Sequence, residues 1–419
     1  MENLKKHQAK ILLLCWCAYA VIYIGRYNLS LAIPAIQDFL GVNKSQIGLL
    51  GGLFLWIYGT GQLINGFIGD KVSARMYIFI GLLVTAVANL AFGFSLSLAV
   101  MCVIWSINGF FQSMIWGPIS KTLTHWVPPE KKNFAAVLIS TSGVGGTLIT
   151  YLIAGQMLAR LNWKWAFWIP SIIIFAYSFI WLAFARNRPE DIGLASINSE
   201  ISVDISISCS NNYTLWEVIK KTRLWFVIIA CFAQAIVKDG INLWAPTFLL
   251  ETHKLDIKTT SGFITVIPIL SFAGMIFAGW LNKKFNYQEK TATAVLFIAG
   301  VVMIIGFTTL GSRNAIWGVI FLGLSSAMMN GANSLLLGIV PMNFARYNKV
   351  SAIAGLLDFA SYLISGFAAA ITGFVLDLSG WGGILVFWII ATIIGTIALV
   401  IGQIYDNKSL AAANNMLRV

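Results

Sequence analysis

The sequence predicts an all-α membrane protein with twelve transmembrane helices in two pseudo-symmetric six-helix bundles. Three observations predict it. Apolar residues make up 58% of the 419 residues and charged residues only 11%, and the mean hydropathy is +0.81. A soluble chain of this length would need far more polar surface to cover its core. Apolar runs of about 20 residues alternate with short polar connectors, and each run is long enough to cross roughly 30 Å of hydrocarbon. Finally, the two halves of the chain echo each other.

The spans are read at 11–35, 46–69, 76–95, 98–122, 134–158 and 165–185 in the first half. In the second half they fall at 224–250, 261–281, 291–310, 315–340, 350–376 and 383–405. Prolines such as Pro34, Pro118, Pro170, Pro246 and Pro268 interrupt them, as membrane helices tolerate. The first run is too long for a secretory signal and lacks a small-residue cleavage site, so it is read as the first span. The Ser/Asn-rich stretch between spans six and seven divides the chain into an N-terminal bundle (1–185), a cytoplasmic linker (186–223) and a C-terminal bundle (224–419). Counted with the N-terminus inside, nineteen Lys and Arg residues fall in inner segments and six in outer loops. That bias places both termini in the cytoplasm, in what we expect to be a bacterial inner membrane.

The net charge of +12 is thus explained by position, and no nucleic-acid partner is expected. Five scattered cysteines and three distant histidines show no metal-ligand or disulfide spacing. Neither a nucleophile–base pair nor a phosphate-cradling glycine loop is present, and the linker is too small for an ATPase. We therefore expect no cofactor, no metal and no enzyme activity.

Arg26 lies about fifteen residues into the first span, in YAVIYIGRYNLSLAIP. A cation at such depth costs about 2.5–3.5 kcal/mol and needs a reason. Tyr19, Tyr23, Arg26 and Ser30 recur at helical spacing and share one face, which reads as a cavity lining. The alternative is an ion pair with Asp239 or Asp358. In span seven, Lys238 lies eight residues before Pro246, just as Arg26 lies eight before Pro34. In parallel-repeat architectures the substrate site lies near the midplane between the halves. The two cations are expected to converge there on an anion, Arg26 as a fork and Lys238 as a point charge.

Asp239 and Asp358 complicate that picture, either as proton-coupling groups or as structural partners of the cations. Further polar stripes include Gln234 and Asn242 in span seven, and Ser326, Asn330 and Ser334 in span ten. Others are Asn108 and Gln112 in span four, Tyr58 and Gln62 in span two, and Asp358, Tyr362 and Ser365 in span eleven. In span five, STSGVGGT places Ser142 beside Gly143, Gly145 and Gly146, which allow close helix packing at least as readily as substrate contact.

GFIGDKVSAR (Gly66 to Arg75) resembles the loop 2–3 signature of the major facilitator superfamily. The resemblance implies that Asp70, Lys71 and Arg75 brace two helix ends as part of the gating loop. YAVIYIGRYNLSLAIP, NGFFQSMIWGPISKTLTHW (Asn108 to Trp126) and INLWAPTFL (Ile241 to Leu249) are similar to the organophosphate:phosphate antiporters. That family includes the glycerol-3-phosphate and hexose-phosphate transporters. The resemblance implies that Arg26 and Lys238 hold a phosphoryl group, with Tyr19, Tyr23 and Tyr58 around it. The family typically has Arg at the position of Lys238, Lys at that of Gln62 and His at that of Ser142. RYNLSLAIPAIQ also resembles the anion:cation symporters.

The expected function is secondary transport of a small phosphorylated or otherwise anionic metabolite by alternating access. Coupling is by exchange for inorganic phosphate or by protons. The expected protein is a monomer whose other partner is the lipid bilayer. The first alternative is a proton-coupled symporter of organic anions or zwitterions, such as sugar acids or phosphocholine-like compounds. The second is a membrane sensor built on a transporter fold.

Overall fold

The computed structural model describes residues 2–69, 71–128, 131–195, 214–347 and 349–416. Apolar runs in hydrocarbon must satisfy their own backbone, so the described residues form helices throughout. In order they are α1 (Glu2–Leu40), α2 (Lys44–Gly69), α3 (Ala74–Phe94), α4 (Leu98–Gln112), α5 (Trp116–Trp126), α6 (Lys132–Arg160) and α7 (Trp165–Phe184). Then come α8 (Leu215–Thr222), α9 (Trp225–His253), α10 (Ile257–Ile264), α11 (Val266–Lys284), α12 (Glu289–Gly306), α13 (Ala315–Asn333) and α14 (Val350–Met416).

Eleven continuous stretches among the described residues are long and apolar enough to cross a membrane. The last holds two crossings. As one straight helix, the 67 residues of α14 would reach about 100 Å. They break instead at Gly380, whose φ of +62° and ψ of −161° only glycine adopts without strain. That gives the expected twelve. The span expected at 98–122 is itself divided, since α4 ends at Gln112 and α5 begins at Trp116. Hydropathy runs on unbroken across the step, so the break left no mark in the hydropathy pattern.

The chain forms two compact units, residues 1–208 with 255–265, and residues 209–254 with 266–419. In the first, α1 lies against α6 through glycines. A Cβ on Gly145 would meet Trp16 at 2.9 Å, and one on Gly146 would meet the Tyr23 Cβ at 2.8 Å. The STSGVGGT glycines are therefore packing positions. In the second unit, a Cβ on Gly331 would lie 2.8 Å from the Gly274 carbonyl, so α11 and α13 nearly touch backbone to backbone.

Local signals set the helix ends. Gly41, at φ +65°, ends α1 with Gly41 N–H and Val42 N–H both donating to the Gln37 carbonyl. Asn43 and Gln46 then cap α2 reciprocally, at 2.9 and 3.0 Å. The stretch expected as a linker carries a short 3₁₀ turn, Pro189–Ile192, and α8, capped by Thr214 and Glu217. The residues from 196 to 213 lie outside the described set.

Candidate substrate-binding residues

In the first unit the site grows from a break in α1. Gly25 leaves helical geometry, with φ −91° and ψ 16°. Leu29 N–H, which a regular helix would direct to the Gly25 carbonyl, donates to Asn28 Oδ1 at 3.0 Å. The Gly25 carbonyl instead accepts three side-chain amides: Asn108 at 3.0 Å, Gln112 at 3.1 Å and Asn89 at 3.2 Å. Asn28 Nδ2 completes the set, donating to Asn89 Oδ1 and the Ala166 carbonyl, each at 3.0 Å. All four amide side chains are fully buried. The break thus leaves both the Gly25 carbonyl and the Leu29 N–H with partners. Glycine is required sterically, because a Cβ on Gly25 would meet Ile174 at 2.7 Å and Asn89 at 2.8 Å.

Arg26 follows the break directly and is half-buried. Its Nε–H donates to Gln112 Oε1 at 2.9 Å. The guanidinium lies over the Tyr58 ring, 4.2 Å from its centroid, with Tyr23 and Phe54 each at 5.3 Å. Aromatic faces stabilise a desolvated cation by about 2 kcal/mol or more, which offsets part of its cost in hydrocarbon. Tyr58 is buried, stacks on Phe54 and accepts a hydrogen bond from Gln62 Nε2 at 3.1 Å. Tyr19 meets Tyr23 edge-on at 5.3 Å and Trp116 at 4.9 Å. The structure therefore brings Tyr19, Tyr23, Arg26, Tyr58 and Gln62 into one connected group. Ser142 stands apart from it by bonding: it is buried and returns its hydroxyl to the Ile139 carbonyl of its own helix. Ser30 does the same, to the Tyr27 carbonyl at 2.8 Å.

In the second unit the charges around Lys238 have the opposite balance. Lys238 Nζ and Asp239 Oδ1 form an ion pair at 3.6 Å, both side chains only 15% exposed. Ser365 Oγ donates to Asp239 Oδ2 at 2.5 Å. Asp358 lies within electrostatic reach of Lys238. When all are ionised, one cation faces two carboxylates. Asn242 lies one turn beyond Lys238 and is half-buried, as is Tyr362, one turn beyond Asp358. Gln234, one turn before Lys238, is fully buried, and neither end of its amide bonds to a described residue. Asn330 sits on α13, donating to the Ser326 carbonyl at 2.9 Å, while Ser326 and Ser271 hydroxyls meet at 2.9 Å.

Asp70 lies outside the described residues. Lys71 is exposed, and a Cβ on Gly66 would meet nothing. Arg75 meets the end of α7: its Nε donates to the Leu182 carbonyl at 2.8 Å, and Arg75 N–H donates to Asn187 Oδ1 at 2.9 Å. The cation at the end of α2 is Lys121 of α5, donating to the carbonyls of Gly69 and Val72 at 3.1 and 3.3 Å. Lys121, Asn28 and Asn89 are not singled out by the sequence pattern. The signal was available, since an asparagine inside an apolar run needs a partner.

The superfamily is decided by extent. The profile of the Major Facilitator Superfamily matches residues 15–365. The chain belongs to that superfamily. Its members are secondary transporters, and the twelve-helix, two-bundle fold is theirs. The Probable hexose phosphate transport protein of Chlamydia pneumoniae is 26% identical over 403 residues, spanning 91% of this chain and 88% of that one. The Membrane sensor protein UhpC of Escherichia coli is 27% identical over 411 residues, or 93% and 90% of the two chains. These relatives are those of the organophosphate:phosphate antiporters. A bacterial homologue of the human lysosomal transporter Spinster, solved inward-facing and occupied, matches with a TM-score of 0.73. It covers 96% of this chain and 97% of its own at 13% identity, so it speaks to the fold alone.

Proposed function

We propose that this superfamily member carries a small phosphorylated metabolite together with a proton. Arg26 is the principal phosphoryl ligand in the first unit, and Lys238 with Asp239 and Asp358 is the coupling cluster in the second. Likeness to hexose-phosphate transport proteins supports the phosphoryl group. One observation carries the proton: the Lys238–Asp239 ion pair, with Asp358 in reach, offsets Lys238 before any anion arrives. A phosphate dianion gains little from a cation already offset, whereas protonating one carboxylate releases Lys238 for it. We place the protein in a bacterial inner membrane as a monomer, with both termini in the cytoplasm.

The test is uptake of labelled glucose 6-phosphate into proteoliposomes free of internal phosphate, with and without an imposed pH gradient, acid outside. We expect uptake that follows the gradient and is lost in Asp358→Asn. Uptake that requires internal phosphate and ignores the gradient would make the protein a phosphate exchanger. Competition by sugar acids or phosphocholine, but not by sugar phosphates, would move the cargo to organic anions or zwitterions.

A second reading is supported by the likeness to a membrane sensor. Under it the protein binds glucose 6-phosphate, detected as a thermal shift, but shows neither uptake nor counterflow.

A further inference from the structure

Two carboxylates share Lys238 in the second unit, and the structure holds them in unlike ways. From that difference we propose that Asp239 is the permanent counter-ion of Lys238, while Asp358 takes up and gives back the proton, one for each anion carried. This rests on the proton-coupled reading and deepens it by naming the carrier.

Asp239 is engaged at both oxygens. Oδ1 faces Lys238 Nζ at 3.6 Å, and Oδ2 accepts the Ser365 hydroxyl at 2.5 Å. A hydroxyl that close to a carboxylate oxygen lies in the range of charge-assisted bonds. Protonating Asp239 would give up both contacts. Asp358 has neither. Among the described residues no N–H or O–H donates to it, and Lys238 acts on it from beyond ion-pair distance. Protonation therefore costs Asp358 none of what it costs Asp239. Asp358 is also only half-buried, so a proton can reach it.

The groups packed around Asp358 leave it as the one placed to exchange a proton. From α9 come Lys238 and Cys231, whose buried thiol bonds to Ser361. Charge on α12 is confined to its first turn, at Glu289 and Lys290, and Asp406 holds Lys290 at 2.6 Å. The turn at 334–339 has no titratable side chain. The one at 340–347 has Tyr347 and Arg346, the side chain of the latter lying outside the described set. On α14 itself the next carboxylate, Asp377, is about 28 Å farther along the helix.

The step is a proton transfer and nothing more. The Asp358 carboxylate accepts a proton from water on the acid side, one O–H bond forms, and no electrons change hands. With Asp358 ionised, Lys238 and the two acids sum to one negative charge; with it protonated they sum to zero. An anion is repelled in the first state and not in the second. Asp239 stays ionised in both, so Lys238 is never left in hydrocarbon without a counter-charge.

Calorimetry of inorganic phosphate binding to the full-length protein, run at pH 8 in two buffers of different ionisation enthalpy, counts the protons taken up. Inorganic phosphate is largely a dianion there, and its own ionisation enters every variant alike. We expect the count to fall by about one proton in Asp358→Asn and to stay at its native value in Asp239→Asn. A count that persists in Asp358→Asn, or falls in Asp239→Asn, would overturn the assignment.

A second measurement uses the native protein and needs neither variant nor phosphate. Dicyclohexylcarbodiimide partitions into hydrocarbon and adds to a carboxyl that carries a proton, and peptide mass spectrometry locates the adduct. The adduct is expected on Asp358, diminishing as pH rises. An adduct on Asp239, or none on Asp358, would overturn the proposal. The two readings fail separately. If the native protein binds phosphate and takes up no proton, the proton-coupled reading falls and this proposal with it. If native uptake survives in Asp358→Asn, only the assignment to Asp358 falls.

Discussion

Lys238 and Asp239 are neighbours in the chain and also ion-pair partners, Nζ to Oδ1 at 3.6 Å, while Ser365 holds the other carboxylate oxygen. Removing the acid should therefore free the cation. Asp239→Asn is expected to strengthen inorganic phosphate binding roughly fivefold, the scale of a modest ion pair of about 1 kcal/mol. Calorimetry at fixed ionic strength checks it, and an unchanged or weaker affinity would argue that the pair orients Lys238.

The Gly25 break predicts intolerance of any side chain there. Gly25→Ala forces a Cβ to within 2.7 Å of Ile174 and 2.8 Å of Asn89. The expected cost is about 1–3 kcal/mol, as for overpacking elsewhere. It should appear as a lowered melting temperature in detergent, with or without phosphate. A melt equal to that of the native protein would show that α1 has room to shift.

Asn89 joins α1 to α3 through the Gly25 carbonyl and Asn28. Asn89→Leu would preserve its volume but leave Asn28 Nδ2 with only the Ala166 carbonyl. A loss of roughly 1–3 kcal/mol in stability is expected, the cost of a buried polar group deprived of its partner. Asn28→Leu in the same chain should restore part of that loss, which a melting series would reveal.

Lys121 places a cation on the carbonyls at the end of α2, where the helix dipole is negative. Lys121→Met is expected to cost about 1 kcal/mol and to expose the turn at residues 71–73 to protease. Limited proteolysis, compared at matched temperature, measures it. Unchanged cleavage would mean that Arg75 and Asn187 hold the turn unaided.

Asp256 caps α10 and lies outside the spans. Hydrogen bonds from Thr259, side chain and backbone, hold its carboxyl below the ordinary range. A carboxyl depressed on folding stabilises above its unfolded pKa of about 3.9, and that contribution is lost as pH falls through the folded value. Asp256→Ala should accordingly lower the melting temperature near pH 6 and narrow the gap to the native protein as pH approaches 3. A constant gap would assign the effect to packing.

Much of this was legible in the sequence, and the rest was hidden for definable reasons. Run length gave the twelve crossings, and the depth of Arg26 and Lys238 marked them as charges that need an explanation. Pairing of the acids with the cations was one of the readings the sequence left open, but not that Asp239 meets its own neighbour, because successive helix residues point about 100° apart and the long lysine stem must reach back. The amide ring at Gly25 was obscured because three of its members come from two other helices, 64 to 87 residues away in the chain. Periodicity tells which face a residue occupies, not which carbonyl of another helix it will meet. The end of α4 at Gln112 leaves no mark in hydropathy either, since one apolar stretch runs on from Leu98 to Trp126.

The glycine seams carry a consequence for mechanics. Where Gly146 admits α1 and where Gly274 and Gly331 bring α11 against α13, main chain lies on main chain with no side chain between. Such contacts have no rotamers to exchange and no intermediate spacing to settle into. Each seam is stiff, and the helices it joins must travel as one piece. Dihedral freedom lies instead where glycine leaves regular helix without crowding, as at Gly380, where nothing stands within 4 Å of a Cβ position.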